Sequence, residues 1–232
     1  MAKVKSSVKK ADEKLLDLVE VQQKTKSFFE QHQQKISIIG GALVLGLAGY
    51  LAYLFLYLQP RQERAVEQMM VAQQQFEKDS FRLALTNPGG GYSGFLDIID
   101  SYKGTKTSNL AKYYAGISYL HLGQYDAAID YLEDFSPKDE VTTITRAGNL
   151  GDAWSEKKDF NKAMSYYKQA IAAGKNELLT PYYIKKAGLL YLYQKDNANA
   201  LSQFNELKTQ FPLSPEASDI DKYIVKAGGT AE

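Results

Sequence analysis

His32 and His121 are the two histidines of the 232-residue chain, and cysteine is absent. That removes thiol nucleophiles, disulfides, Cys metal sites and lipid attachment through a thiol. One histidine beside an apolar run and one within a helical stretch supply neither a metal set nor a catalytic triad. Gly89-Gly90-Gly91 lacks the Lys-Ser/Thr pair and the preceding strand that a phosphate loop needs. Asp and Glu are plentiful, but a hydrolase built on them needs carboxylates converging in a buried pocket, whereas acids spaced along helices are solvated. No catalytic residue, cofactor or metal ligand is therefore expected. The chemistry left is recognition by aromatic, aliphatic and charged side chains.

The elements that must position those side chains are repetitive. AKYYAGISYLHLGQYDAAIDYLEDF places Gly116, Tyr119, Gly123, Tyr125, Ala128 and Leu132 at set intervals. LGDAWSEKKDFNKAMSYYKQA answers with Gly151, Trp154, Phe160, Ala163, Tyr167 and Ala170, and AGLLYLYQKDNANALSQFNEL with Gly188, Tyr191, Ala200, Phe204 and Leu207. The small-residue marks recur after 35 and then 37 residues, close to the period of about 34 of a tetratricopeptide repeat. In such a unit two antiparallel helices approach where a Gly on the first meets an Ala on the second. The fold class expected is all-α: one transmembrane helix followed by a tetratricopeptide solenoid. Asp126, Asp159 and Asp196 are expected to cap helices in the turns. Lys158 and Lys195 stand where the first unit has Gly123.

Around the three repeats (105–212), residues 59–104 read as a linker helix and a degenerate first repeat. A long helix is expected from about Gln62 to Leu85, and a short one over GFLDIIDSY after the Asn87-Pro88-Gly89-Gly90-Gly91 break. Ser214-Pro215-Glu216 reads as an N-cap with Pro at the first helical position. It opens a closing segment, 213–232, in which Ile220, Tyr223 and Ile224 cover the last repeat.

In tetratricopeptide arrays the first helix of each pair lines a groove. Counting from the three glycines puts Tyr113, Ile117, Leu120 and His121 there, then Thr145, Asp152, Ser155 and Glu156, then Tyr182, Lys185, Leu189, Leu192 and Tyr193. Aromatic anchors flanking an acidic middle suit an extended or helical peptide. The competing reading is that the chain's own terminal helices cover these apolar positions.

Ile36 to Leu58 contain no Asp, Glu, Lys, Arg or Pro over 23 positions. At 1.5 Å per residue a helix of that length reaches roughly 34 Å, enough to span a hydrocarbon core of about 30 Å. A secretory signal is shorter and nearer the amino terminus, and no Ala-x-Ala exit follows. Small residues fall on two helical faces, Ser37, Gly41, Ala48 and Ala52 on one, Ala42, Gly46 and Gly49 on the other, a pattern that permits close packing against another helix. The first 35 residues carry eight Lys against five acids, while Lys24, Lys26 and Lys35 are balanced across the span by Arg61, Arg64 and Lys78. The wider count puts the amino terminus in the cytoplasm and the repeats outside. Val4, Val8, Ala11, Leu15 and Leu18 give residues 1–35 a short heptad register, crowded by lysines, which suits a weak coiled coil or an amphipathic helix on anionic membrane lipids or a partner that tolerates basic charge; the alternative is a partly disordered tail. Residues 60–232 hold 20 basic against 22 acidic side chains, so nucleic acid is not an expected partner.

A short amino-terminal segment, one anchor and an outer repeat domain resemble the bacterial YfgM-like family, ancillary subunits of the Sec translocon and periplasmic chaperones. DSFRLAL (Asp79 to Leu85), GFLDIIDSY and TKTSNLAKYYAGISYLHLGQYDAAIDYL (Thr105 to Leu132) are especially similar to the Bacteroidota versions. The resemblance implies a single-pass inner-membrane protein whose periplasmic repeats meet Sec channel subunits, secreted or unfolded polypeptides, or periplasmic chaperones. It supplies no catalytic residues. A tethered scaffold for another envelope machine, in cell division or specialised secretion, is the alternative.

Overall fold

The computed structural model describes Glu30 and residues 32–230, and every regular element among them is helical. The heptad register of residues 4–18 lies outside the described residues. Two compact units divide at Gln59 and Pro60.

In the first unit the apolar run is helical, and its side chains are exposed, Leu45 at 75% and Leu56 at 80%. A helix apolar all round is compatible with a membrane span, because exposing that much apolar area to water is costly. The 46-residue helix His32–Glu77 is long and apolar enough to cross a membrane. Over Tyr53–Leu58 the hydrogen bonding widens to a π-turn, and Gln59 N–H bonds the Leu54 carbonyl. Pro60 follows. It has no N–H and its ring crowds the carbonyl four residues back, so a locally widened turn is the physical response. Tyr53 and Tyr57 stack there at 5.4 Å.

The second unit takes up α1 (Gln59–Glu77) from its second residue and comprises α2 (Phe81–Thr86), α3 (Phe95–Ser101), α4 (Lys106–His121), α5 (Tyr125–Asp134), α6 (Glu140–Glu156), α7 (Phe160–Ala172), α8 (Leu179–Tyr193) and α9 (Asn197–Gln210). A 3₁₀ turn (Pro215–Asp219) and α10 (Ile220–Lys226) complete it. Three antiparallel pairs, α4 with α5, α6 with α7 and α8 with α9, form the array.

One reversal joins the helices of every pair. Gly123 has φ 71°, Lys158 62° and Lys195 62°. In each, the following residue's N–H reaches back five residues, Gln124 to Tyr119, Asp159 to Trp154 and Asp196 to Tyr191. This is a left-handed helix end that satisfies the last carbonyls. Seven residues before each reversal stands Gly116, Gly151 or Gly188; five after it stands Ala128, Ala163 or Ala200, all three fully buried. A Cβ on Gly116 would come within 2.6 Å of Leu132 Cγ, and one on Gly151 within 2.6 Å of the Tyr167 ring. The expected close approach of the paired helices is therefore present in the packing.

The helix expected over 62–85 is broken in two. Asp79 has φ 56°, and Ser80 N–H bonds the Gln75 carbonyl, the same reversal at a fourth place. Ala72 and Ala84, both fully buried, occupy the seven-before and five-after positions. The opening pair is thus α1 with α2, and α3 resumes the second helix after the glycine break. Gly94 makes the resumption possible, since any Cβ there would strike the Leu85 carbonyl. Glutamines hold α1: Gln62 Nε2 donates to Thr107 Oγ1 at 2.7 Å, Gln68 accepts from Ser93 N–H at 2.9 Å, and Gln75 donates to the Pro88 carbonyl at 2.9 Å.

Asp159 and Asp196 cap α7 and α9 by accepting from Lys162 and Asn199 N–H. Asp126 does not cap; it sits in the first turn of α5, whose preceding residue Gln124 makes no side-chain cap, and it pairs with Lys157. Ser214 accepts from Ala217 N–H with Pro215 at the helix start, and Ile220 and Ile224 bury against Phe204 and Leu207. Tyr223 lies 5.6 Å from the Phe204 ring.

Two substitutions should move stability in opposite directions. Gly148→Ala would drive a methyl into the ring of Tyr183, which is 4% exposed, and is expected to cost about 1–3 kcal/mol. Lys195→Gly relieves a left-handed non-glycine residue and is expected to add about 0.5–1 kcal/mol. Urea unfolding of the full chain in detergent, followed by circular dichroism, checks both signs.

Candidate functional site

Leu120, His121, Asp152, Ser155 and Glu156, from α4 and α6, come together with Tyr125, Tyr167 and Lys186 around a cleft of about 330 Å³. Five of the residues expected in the groove therefore share one concavity, and three from outside that set complete it.

The cleft's charge differs from the acidic middle expected of it. Lys186 Nζ donates to both Asp152 oxygens at 2.7 Å, and the Tyr167 hydroxyl donates to the same carboxylate at 2.7 Å. Asp152 is neutralised across 34 residues of sequence, by the next repeat. Burial pushes the Tyr167 phenol far above its ordinary value, and the Asp152 charge adds to the shift; Tyr183 follows for the same two reasons. For Lys186 burial acts to lower the ammonium's pKa, but Asp152 outweighs it and the net direction is upward. Glu156 keeps an exposed carboxylate and accepts from the Tyr125 hydroxyl at 3.3 Å.

Other expected groove residues serve the array itself. The Tyr113 hydroxyl donates to Thr145 Oγ1 at 2.8 Å, and its ring lies 5.2 Å from Phe135. Burial pushes its pKa up. Ile117 and Leu120 pack on Ile129, Leu132, Leu150 and Ala153 at the first junction, and Leu192 packs on the last cluster. The His121 ring lies parallel to Phe81 at 4.4 Å, tying α4 to α2. Lys185 is held by Asp219 at 2.5 Å.

Tyr182, Leu189 and Tyr193 remain open, 40%, 36% and 70% exposed along one face of α8. Lys186 lies between them, 4.9 Å from the Tyr182 ring, and belongs to the cleft as well. The Tyr193 ring rests edge-on against Phe160 at 5.2 Å. In the apolar helix, Gly41, Gly46 and Gly49 have open space where a Cβ would stand, and Ser37, Ala42, Ala48 and Ala52 are exposed.

A larger concavity, about 920 Å³, lies elsewhere, at the end of the array where α4 and α6 begin. None of the expected groove residues lines it.

An all-α array of paired helices with this reversal and this small-residue register is a tetratricopeptide solenoid, a class of protein-interaction module. The tetratricopeptide repeat family matches residues 110–136 and 186–214. The pair α6 and α7 lies between the two matches and keeps the same offsets. No curated protein matches the chain.

The polar network carries a pH dependence with a definite sign. Raised pKa values on Lys186, Tyr167 and Tyr183 mean that the folded state holds these protons more tightly. Their contribution is whole below the ordinary tyrosine and lysine values, near 10.0 and 10.5, and is lost as pH rises beyond them. Lys186→Met is expected to cost about 1.5–3 kcal/mol at pH 7 by stranding the Asp152 carboxylate. It is also expected to shrink the fall in stability between neutral and strongly alkaline pH, whereas the exposed Lys168→Met leaves both unchanged. Urea midpoints at the two pH values decide it.

Proposed function

We propose that the chain is a membrane-anchored interaction protein, its amino terminus in the cytoplasm and its repeats in the periplasm, acting as an accessory subunit of the Sec channel. In this reading the repeats receive secreted or unfolded polypeptides, or link the channel to periplasmic chaperones. The observation that carries it is the open stripe Tyr182, Leu189 and Tyr193 beside the polar cleft. Aromatic side chains with few rotors and one exposed face are well suited to gripping apolar residues of many sequences. Asp152 and Lys186 are already satisfied by each other, so the exposed Glu156 carboxylate is the charge the cleft leaves open to a passing chain. The anchor supports the placement beside a membrane channel, its small faces offering the close approach that helix packing in lipid requires. The resemblance to YfgM-like proteins supports the choice of channel.

A tag after Glu232, gentle solubilisation and quantitative mass spectrometry test the reading. Sec channel subunits are expected at near-stoichiometric abundance. A different envelope machine, with the channel at background, would replace it with the tethered-scaffold reading. Tyr182→Ala with Tyr193→Ala is expected to weaken recovery of client polypeptides about 10–30-fold while leaving the channel subunits in place.

A further inference from the structure

We propose that the larger concavity binds an anionic phospholipid of the membrane that holds the anchor; this rests on the membrane reading given above. Its floor is apolar, made by Ile99, Leu110 and Phe135, and lysines 103, 106 and 138 stand on its rim. The acids nearby are engaged. Asp134 is matched by Lys112 at 2.7 Å, and Asp139 caps α6, where the Thr142 N–H and hydroxyl hold its carboxyl below the usual range. Among the described residues Lys106 and Lys138 have no ion pair, and Lys103 meets Asp100 with both side chains about three-quarters exposed, a contact that solvent screens and a stronger anion displaces. The lining carries four lysines against Asp134 and Asp139, a positive balance in a segment, 60–232, that is slightly acidic overall.

The second observation is where this rim is tied. The Arg61 guanidinium donates to the Ser101 carbonyl at 2.6 Å, while Gln62 donates to Thr107 Oγ1 at 2.7 Å and accepts from Thr107 N–H at 3.2 Å. Ser101 and Thr107 bracket Lys103 and Lys106 in sequence. Arg61 is the third residue after Leu58, the end of the apolar run, and three residues span at most roughly 11 Å even when fully extended. The chain itself therefore keeps this edge close to the lipid headgroups, whichever direction the apolar helix takes. A volume of about 920 Å³ is far more than an inorganic anion fills and falls in the range of sites for molecules of about 300–1,000 Å³. A phosphodiester would lie among the three lysines, with glycerol and the upper acyl chain over Ile99, Leu110 and Phe135. An acidic peptide would also meet the lysines, but nothing holds one there.

The absence of cysteine makes the test clean. Full-length Ser136→Cys, at the pocket wall, and Ser202→Cys, on the exposed side of α9, are labelled with a fluorophore and reconstituted into phosphatidylcholine vesicles. Nitroxide-labelled phosphatidylglycerol or phosphatidylcholine is then titrated in. Preferential quenching by phosphatidylglycerol is expected at 136 and not at 202. Lys103→Glu, Lys106→Glu and Lys138→Glu together are expected to raise the half-quenching mole fraction at least about tenfold without altering the circular dichroism spectrum. Equal quenching by the two lipids, an unaffected triple variant, or displacement by inorganic phosphate or a soluble acidic peptide would overturn the proposal. Release of the chain by alkaline carbonate would overturn the membrane reading along with it; a retained chain lacking lipid preference overturns the lipid site alone.

Discussion

Each helix pair turns on one residue held in the left-handed region, and that single backbone choice fixes the rest of the unit. The left-handed residue ends the first helix and aims the second back along it. Once the reversal is set, the residue seven before it lies under the side chain nine after it, Leu132, Tyr167 or Phe204, and the residue five after it is buried in the same seam. Only Gly and Ala occupy those places, in four units out of four: Ala72 with Ala84, Gly116 with Ala128, Gly151 with Ala163, Gly188 with Ala200. Three of the four reversals use Asp79, Lys158 or Lys195 in place of glycine, so a strain of about 1–2 kcal/mol at each is tolerated. The helix packing that the reversal makes possible outweighs it.

What the sequence disclosed follows from that geometry. Gly116, Gly151 and Gly188 are legible because side chains missing at regular intervals have few causes besides close helix packing, and Ser214-Pro215 because both residues report on the same helix start. The fourth reversal is hidden by chemistry, not by distance. Lys78-Asp79-Ser80 lacks glycine, and the alanines around it are as much at home in one long helix as in two. Lys157-Lys158-Asp159-Phe160 and Lys78-Asp79-Ser80-Phe81 are alike in placing an aromatic at the start of the returning helix. Asp126 shares its residue type with Asp159 and Asp196 but falls two residues past the reversal's exit, inside the helix. The Asp152–Lys186 pair was beyond reach for another reason: nothing local in either helix announces a partner 34 residues away. The lysine-rimmed pocket gathers its walls from α3, α4, α5 and α6, so its composition exists only once the array has formed.

The junctions between units are not alike. Between α4/α5 and α6/α7, Ile129 and Leu132 meet Leu150 and Ala153 in an apolar core, and the polar contacts lie around its margin, with Arg146 donating to the Leu132 and Glu133 carbonyls. The next combines Ile144, Tyr167 and Tyr183 with the half-buried charges of Asp152 and Lys186. An apolar contact between helices is forgiving of small slides, because one methyl replaces another at little cost. A salt bridge that also receives a phenol is not forgiving: moving α8 by one turn past α6 would leave an unmatched ammonium and an unmatched carboxylate at the floor of the cleft. The pair's net contribution to folding is modest, since its side chains keep about a quarter of their exposure. Its stronger effect is on register. By fixing where α8 lies against α6, it fixes how Tyr182, Leu189 and Tyr193 are presented beside the cleft.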